Sequence, residues 1–412
     1  MVQSLKGPKI KTGDRRVLEG LKVVELATYI AAPGAAGVMA DWGADVNKIE
    51  SPAGDPMRRF LSNVSDIQGS PPFDLDNRGK RSIVLDIAKP AAREAAIKLA
   101  LEADIFLTNV RPAALKRAGL DWETLHGLSP TLIYCSITGY GLIGPDADKP
   151  GFDTAAFWAR TGVASLTAPK GTEPFPIRTG MGDHTCSLAT VSAILAAVFE
   201  RGKTGKGRLV ETSLIRAGAY AIGADLAVQL KLGRIASTRP RHQAVEPLTN
   251  FFQTSDGNWL CVLPRNGGSD WPQLAAAVGR PELATDPRFS SGKARRDHKA
   301  ELVTALDEAF ATFTLQEATQ RLDDADMVWS PVQTPAQFVA DVQAKAAGCF
   351  VDVPDGQGGH YASPASPARF PGADDGPKGP SPGLGEHTRA VLEELNYAPA
   401  DIEAMIAAGA AA

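Results

Sequence analysis

Two aspartates stand where a carboxylate could do chemistry. Asp183 follows Gly182 and precedes a run in which Leu188, Val191, Leu195 and Val198 share one helical face, so it falls at the start of a helix beginning near His184. From the residues alone, Asp there reads first as an N-cap. The same place favours a negative charge, by about 0.3–1 kcal/mol when exposed and more when partly buried. Gly180 and Gly182 would let a ligand carbonyl approach main-chain N–H groups that stabilise an oxyanion. Asp153, in Gly151-Phe152-Asp153-Thr154, reads from the residues as a second helix cap.

Other chemistries lack their parts. Gly139-Tyr-Gly141-Leu-Ile-Gly144 fits the dinucleotide fingerprint, but Pro145 and Lys149-Pro150 follow it, so it reads as a loop and not as the opening of a helix. Gly202-Lys203-Thr204 resembles the end of a P-loop, yet Ala197 replaces the required glycine and the segment ends a helix. The six histidines are scattered without an HExxH spacing, and Cys135, Cys186, Cys261 and Cys349 show no ligand spacing, so no metal is expected. No GxSxG elbow anchors a hydrolase triad.

The elements that must position these groups alternate in the first half of the chain. Strands are expected at 21–26, 46–50, 82–86, 104–108 and 132–137, with helices at 35–42 (closed by Gly43) and 90–102. Strands separated by helices imply a parallel sheet with crossovers, hence an α/β fold. A strand at 208–213 and one long Ala-rich helix at 214–232 follow the Asp183 helix. From about Arg234 the texture changes to a strand at 259–263 and helices, one opening with the capping box Thr314-Leu-Gln-Glu317. Residues 362–382 are rich in Pro and Gly and read as an extended linker, and 388–408 as two short helices. The 412 residues are too many for one ordinary domain. We divide them into 1–225, 226–330 and 331–412. The middle stretch reads as a second, smaller domain.

The net charge of −4, without a dense basic stripe, makes nucleic acid an unexpected partner. Apolar stretches are helix-sized and interrupted, and residues 1–6 lack the apolar core of a signal peptide. A cytoplasmic protein with no membrane partner is therefore expected.

Four stretches resemble the class III coenzyme A transferases, the family of formyl-CoA transferase, carnitine CoA-transferase and the α-methylacyl-CoA racemases. They are Leu18-Glu-Gly-Leu-Lys-Val-Val-Glu-Leu through Ala32-Pro33-Gly34 to Lys48-Ile-Glu50; Asn77-Arg-Gly-Lys80-Arg81-Ser-Ile-Val-Leu-Asp86; Ala103-Asp104 through Asn109-Val-Arg111-Pro112 to Gly119-Leu120; and Ser136-Ile-Thr-Gly-Tyr-Gly with Gly182-Asp183 and Gly202-Lys-Thr-Gly-Lys-Gly. The resemblance implies a large doubly wound, Rossmann-like domain built from both chain ends (1–225 and 331–412) with a smaller α+β domain (226–330) inserted, an interlocked homodimer, an acyl-CoA donor and a carboxylic acid acceptor. Coenzyme A is then substrate, and no further cofactor is implied.

On the same ground the catalytic aspartate falls on Asp183, whose carboxylate would attack the thioester. Asp153 matches an acidic residue beside the family's active site. Ile30 and Ala31 match main chain along the pantetheine, and Leu85 and Arg117 match contacts to adenine and phosphates. Ser51 and Ala88 stand where formyl-CoA transferase is basic, with Lys89, Arg58 or Arg81 as replacements, and Asn266-Gly267-Gly268 is the candidate lid loop. Phe157-Trp158-Ala159-Arg160 reads either as core packing or as a likeness to the branch acting on 2-hydroxyacyl and arylacyl groups. Two alternatives stand beside transfer: a 2-methylacyl-CoA racemase and a non-catalytic CoA-binding protein. The racemases carry a histidine base where this chain has Phe152, which cannot carry a proton.

Overall fold

The computed structural model describes residues 15–60, 69–175, 177–265 and 268–412. Residues 1–6, and Asn266-Gly267 of the candidate lid, lie outside the described residues. The chain divides into two units. One comprises the described residues up to Ala164 with Pro176–Gly233 and Ala346–Ala412, and the other Ser165–Phe175 with Arg234–Lys345.

The first unit is built on six strands: β1 (Lys22–Leu26), β2 (Asp45–Glu50), β3 (Arg81–Val84), β4 (Ile105–Thr108), β5 (Ile133–Thr138) and β6 (Leu209–Ser213). Their order is β3-β2-β1-β4-β5-β6, and every neighbouring pair is parallel. Successive side chains of a strand face opposite ways. Val23, Ile105, Leu107, Ile133 and Cys135 accordingly enter one apolar cluster, while Val24, Phe106 and Tyr134 enter the other. Burial on both faces explains why these strands read as continuous apolar runs.

The helices of this unit begin with α1 (Ala31–Asp41), α2 (Pro71–Asn77), α3 (Pro90–Leu101), α4 (Pro112–Ala118) and α5 (Trp122–Leu128). Next come a short α6 (Val163–Thr167), whose residues from Ser165 on belong to the other unit, and the long α7 (Met181–Thr204). α1 and α7 cover the first face: Cys186, Val191, Ile194 and Ala197 of α7 join its core. By length and composition α7 could cross a membrane. Its apolar face here packs the sheet instead. The single helix expected at 214–232 is two, α8 (Leu214–Ala221) and α9 (Gly223–Leu232), broken at Ile222.

The C-terminal residues return to this unit. Helices Thr388–Glu394 and Pro399–Ala407 place Val391, Leu392, Ile402 and Met405 in the second cluster. They also cover the edge strand β3. Val84 N–H donates to Thr388 Oγ1 at 3.0 Å, and Asp86 N–H to Ala410 O at 2.9 Å. An edge left bare would present unpaired main-chain groups to other chains.

The second unit holds an antiparallel sheet, Asn250–Gln253, Trp259–Leu263 and Val328–Pro331, over a core containing Trp271, Phe289, Leu302 and Phe310. The capping box at Thr314 and Glu317 forms as expected.

Candidate active site

In an open parallel sheet of this order, the strand connections diverge between β1 and β4, and ligands bind beyond the strand ends at that point. A cavity of about 650 Å³ opens there. Its walls come from Thr28–Ala31 after β1, Asn109–Pro112 after β4, Ile137–Gly139 at the end of β5, and the segment carrying Phe152 and Asp153. Asn109 ties the two central loops together. It accepts the Thr28 N–H at 3.1 Å and donates to Thr28 O at 2.7 Å.

Asp183 lines this cavity and is only 9% exposed. The helix begins earlier than the sequence pattern placed it. Gly180, at φ 107°, is the N-cap, and Asp183 is the third helical residue, without a capping bond of its own. Its charge still meets the positive end of the helix. Burial outweighs that benefit and pushes the carboxyl up to about 7, with the charge of Asp153 adding to the rise and His184 opposing it. The carboxyl whose place at the helix start favours a negative charge is therefore raised toward neutrality by its burial.

Asp153 begins a π-wound helix, Asp153–Ala159, a winding concentrated at functional sites. It does not cap that helix. Phe152 holds the cap position, and Asp153 Oδ2 accepts the Gly180 N–H at 2.5 Å. Burial raises the Asp153 carboxyl, against the pull of the Gly180 and Gly182 N–H groups and the Trp158 indole. Glycine at 182 is a packing requirement: any Cβ would overlap Asp153 Oδ1 and the Phe157 ring. Phe157 and Trp158 are buried, and Arg160 pairs with Asp146 at 2.9 Å.

The loop after β1 is held by buried charges. Lys48 Nζ reaches Glu25 at 2.7 Å, Asp55 at 2.9 Å and Ala27 O at 3.0 Å, while Lys80 Nζ reaches Glu25 at 2.6 Å, Pro33 O at 2.9 Å and Asn77 at 3.0 Å. Both ammonium groups thus have three acceptors, as buried charges require. Asp55 Oδ1 in turn takes the Tyr29 N–H at 3.1 Å, and Tyr29 sits at φ 66°. A left-handed tyrosine is rare outside sites where its surroundings enforce it. Its ring meets Phe152 edge-on at 5.3 Å beside the cavity.

The other expected contacts scatter. Ile30 and Ala31 line the cavity with Asp153 and Asp183, but Leu85, Lys89 and Arg117 are not among its walls. Leu85 is buried and bridged to Ala411. Lys89 Nζ donates to Ala408 O at 2.5 Å. Arg117 is exposed on the last turn of α4. Arg58 is bound to Glu50 and Pro382 O, and Arg81 to Glu394. Among the described residues, the cations on the wall are Arg111 and Lys149. Neither was singled out from the sequence, although Arg111 lies inside the quoted Asn109-Val-Arg111-Pro112 stretch.

The family profile described as CoA-transferase family III matches residues 18–388. The chain belongs to CoA-transferase family III. Within this family it is 33% identical to the (R)-2-hydroxy-4-methylpentanoate CoA-transferase of Clostridioides difficile, over 92% of this chain and 96% of that one. It is 34% identical to the cinnamoyl-CoA:phenyllactate CoA-transferase of Clostridium sporogenes, over 94% and 95%. A solved CAIB/BAIF family protein from Brucella suis superposes with a TM-score of 0.82 at 33% identity, covering 92% of this chain and 99% of that chain. The protein is thus a CoA-transferase with the mixed α/β fold and six-stranded parallel sheet described above.

Proposed function

We propose that the protein moves coenzyme A from an acyl-CoA to a free carboxylic acid through covalent intermediates on Asp183. The observation that carries this is the buried Asp183 carboxylate on the wall of a cavity at the sheet's switch point. The carboxylate attacks the thioester carbonyl, a C–O bond forms, and the C–S bond breaks to release CoA thiolate. Thiolate then attacks the aspartyl carbonyl of the anhydride, freeing the donor acid and leaving an aspartyl-CoA thioester. The acceptor carboxylate attacks that thioester, and the returning thiolate takes the new acyl group and restores Asp183. Electron pairs balance at each step, and the hard exchange is split into easier ones.

Pantetheine would pass Ile30 and Ala31. Arg111 and Arg117, at the two ends of α4, would face the phosphates, with Lys149 at the wall; Leu85 and Lys89 are the alternative positions for the nucleotide end. Asp153 would fix the entry to α7 and the electrostatics of Asp183. The apolar walls at Tyr29, Met57, Phe60 and Phe152 suit a bulky apolar acyl group better than oxalate. This agrees with the two clostridial relatives, whose names carry branched-chain and aromatic hydroxy acids. The working unit proposed is an interlocked homodimer.

The test is to withhold acceptor, add acyl-CoA and trap with hydroxylamine. An aspartyl hydroxamate at Asp183, found by peptide mapping, is expected, and Asp183→Ala should bind acyl-CoA without transfer. Normal transfer by Asp183→Ala would overturn the mechanism. Incubating a 2-methylacyl-CoA with the enzyme in deuterated water should give no rapid uptake at the α-carbon, because Phe152 offers no second base.

A further inference from the structure

Two polar groups next to the site, Asp76 buried and His184 half-exposed, have no part in the steps above. Asp76, in α2, is 4% exposed, and its Oδ1 contacts His184 Nε2 at 3.0 Å. His184 follows Asp183 directly in α7 but is not among the walls of the 650 Å³ cavity. It lines a separate space of about 200 Å³ with Asp76, Gly34 and Ser187. The imidazole therefore borders a different space from the cavity that Asp183 lines. Helix α1 closes on this pair without an intervening side chain. A Cβ at Gly34 would fall 2.8 Å from Ser187 Oγ and 3.3 Å from both Asp76 Oδ1 and His184 Cδ2. Ser187 Oγ is itself fixed by Ala31 O at 2.7 Å, and the half-exposed His184 ring is held by its contact with Asp76.

We propose that His184, clamped by Asp76, is a positioning residue whose positive charge keeps Asp183 a carboxylate during transfer. The inference rests on the reading of Asp183 as nucleophile. The groups facing His184 are Asp76 from α2, Asp183 on its own helix and Asp153 from the π-wound helix. From α1, Gly34 contributes no charge, and Asp41 is engaged by Arg78 at 2.6 Å. Glu25 and Lys80 act on Asp76. Three acidic groups thus share one imidazole. The hydrogen bond to Asp76 holds the His184 pKa above its ordinary value, with burial opposing, while burial raises Asp76 itself against the pull of His184. His184 transfers no proton in any step. Its charge opposes the burial and the Asp153 charge that disfavour an anion on Asp183.

The experiment compares kcat/KM against pH for the wild type and His184→Gln, whose amide can still meet Asp76. The acid limb should move to higher pH. Loss should be about tenfold at pH 6 and should shrink as pH rises beyond the acid limb, where Asp183 is ionised with or without the imidazole charge. A uniform loss at every pH, or an unmoved limb, overturns the proposal. If His184→Gln fails to fold, the reciprocal shift decides: the His184 imidazole, followed by NMR, should titrate at lower pH in Asp183→Asn than in the wild type. An unchanged titration overturns the proposal. The Asp183→Ala assay separates the two claims. An inactive Asp183→Ala with an unmoved His184→Gln limb removes only this inference, whereas an active Asp183→Ala removes the mechanism beneath it.

Discussion

Asp153 holds the entry to helix α7 by accepting the Gly180 main-chain N–H at 2.5 Å. One carboxylate therefore does two things: it fixes the turn that aims Asp183, and it adds negative charge beside it. The two roles separate by substitution. Asp153→Asn keeps an acceptor for Gly180 and removes the charge, so the acid limb of kcat/KM should move to lower pH with less than about tenfold loss at its optimum. Asp153→Ala loses the anchor as well, and displacement of Asp183 by about 1 Å should cost ~100-fold in kcat. Both should exceed Asp183→Ala in activity. A limb that moves to higher pH in Asp153→Asn would contradict the electrostatic assignment.

Much of this arrangement was legible in the sequence. The alternation of apolar runs and helices gave the parallel sheet, because strands buried on both faces need no polar alternation. Asp183 and Asp153 were found as residues, but their geometry was not. Gly180 caps α7 with a left-handed backbone, so the helix starts before the Asp that looked like its cap. The π winding at Asp153 has no sequence signature separable from an ordinary helix start. The surroundings of the cations expected at the CoA phosphates were not legible for another reason. Lys89, Arg58 and Arg81 are spent on Ala408 O, Glu50 and Glu394, partners remote in sequence for Lys89 and Arg81 that only the returning C-terminal segment supplies. The buried Lys48–Glu25–Lys80 chain was equally invisible, since its members look like ordinary strand-edge charges until folding brings them together.

Arg111 should matter more for CoA binding than Lys89. Arg111 is on the cavity wall, whereas the Lys89 ammonium is occupied by Ala408 O. Arg111→Ala should raise KM for acyl-CoA about tenfold with little change in kcat, the signature of binding shared by ground and transition states. Lys89→Ala should stay within about threefold. The opposite order in initial-rate measurements would move the phosphates to the Leu85–Lys89 turn.

The proposed dimer is tested by dilution. On α7, Met181, Leu188 and Phe199 are exposed, and on α8 and α9 so are Tyr220, Leu230 and Leu232. α9 buries none of its residues in its own chain. Large apolar side chains grouped on helices in this way mark an interaction surface. Interlocked chains must unfold to separate, so sedimentation velocity at nanomolar concentration should still show a dimer. A monomer there would remove the interlocked arrangement.

Asp183 should also leave a thermodynamic trace. Its carboxyl is raised by burial to about 7 from the ordinary 3.8, so between these values the folded protein holds a proton that the unfolded chain has released. Stability gained from this group is therefore complete at pH 4 and falls as pH rises toward 7, above which the folded state carries a poorly solvated anion. A shift of about three units corresponds to a few kcal/mol, at roughly 1.4 kcal/mol per unit. Asp183→Asn has nearly the same size and no charge to bury. It should melt several degrees above the wild type at pH 8, and the gap should close at pH 4.5. The inactive variant would then be the more stable protein, the trade expected where a site keeps a strained charge for chemistry. Thermal melts across this range decide it: equal melting temperatures at pH 8 would mean that the folded site solvates the Asp183 anion as well as water does, and the acid limb of activity should then lie near pH 4 instead of near 7.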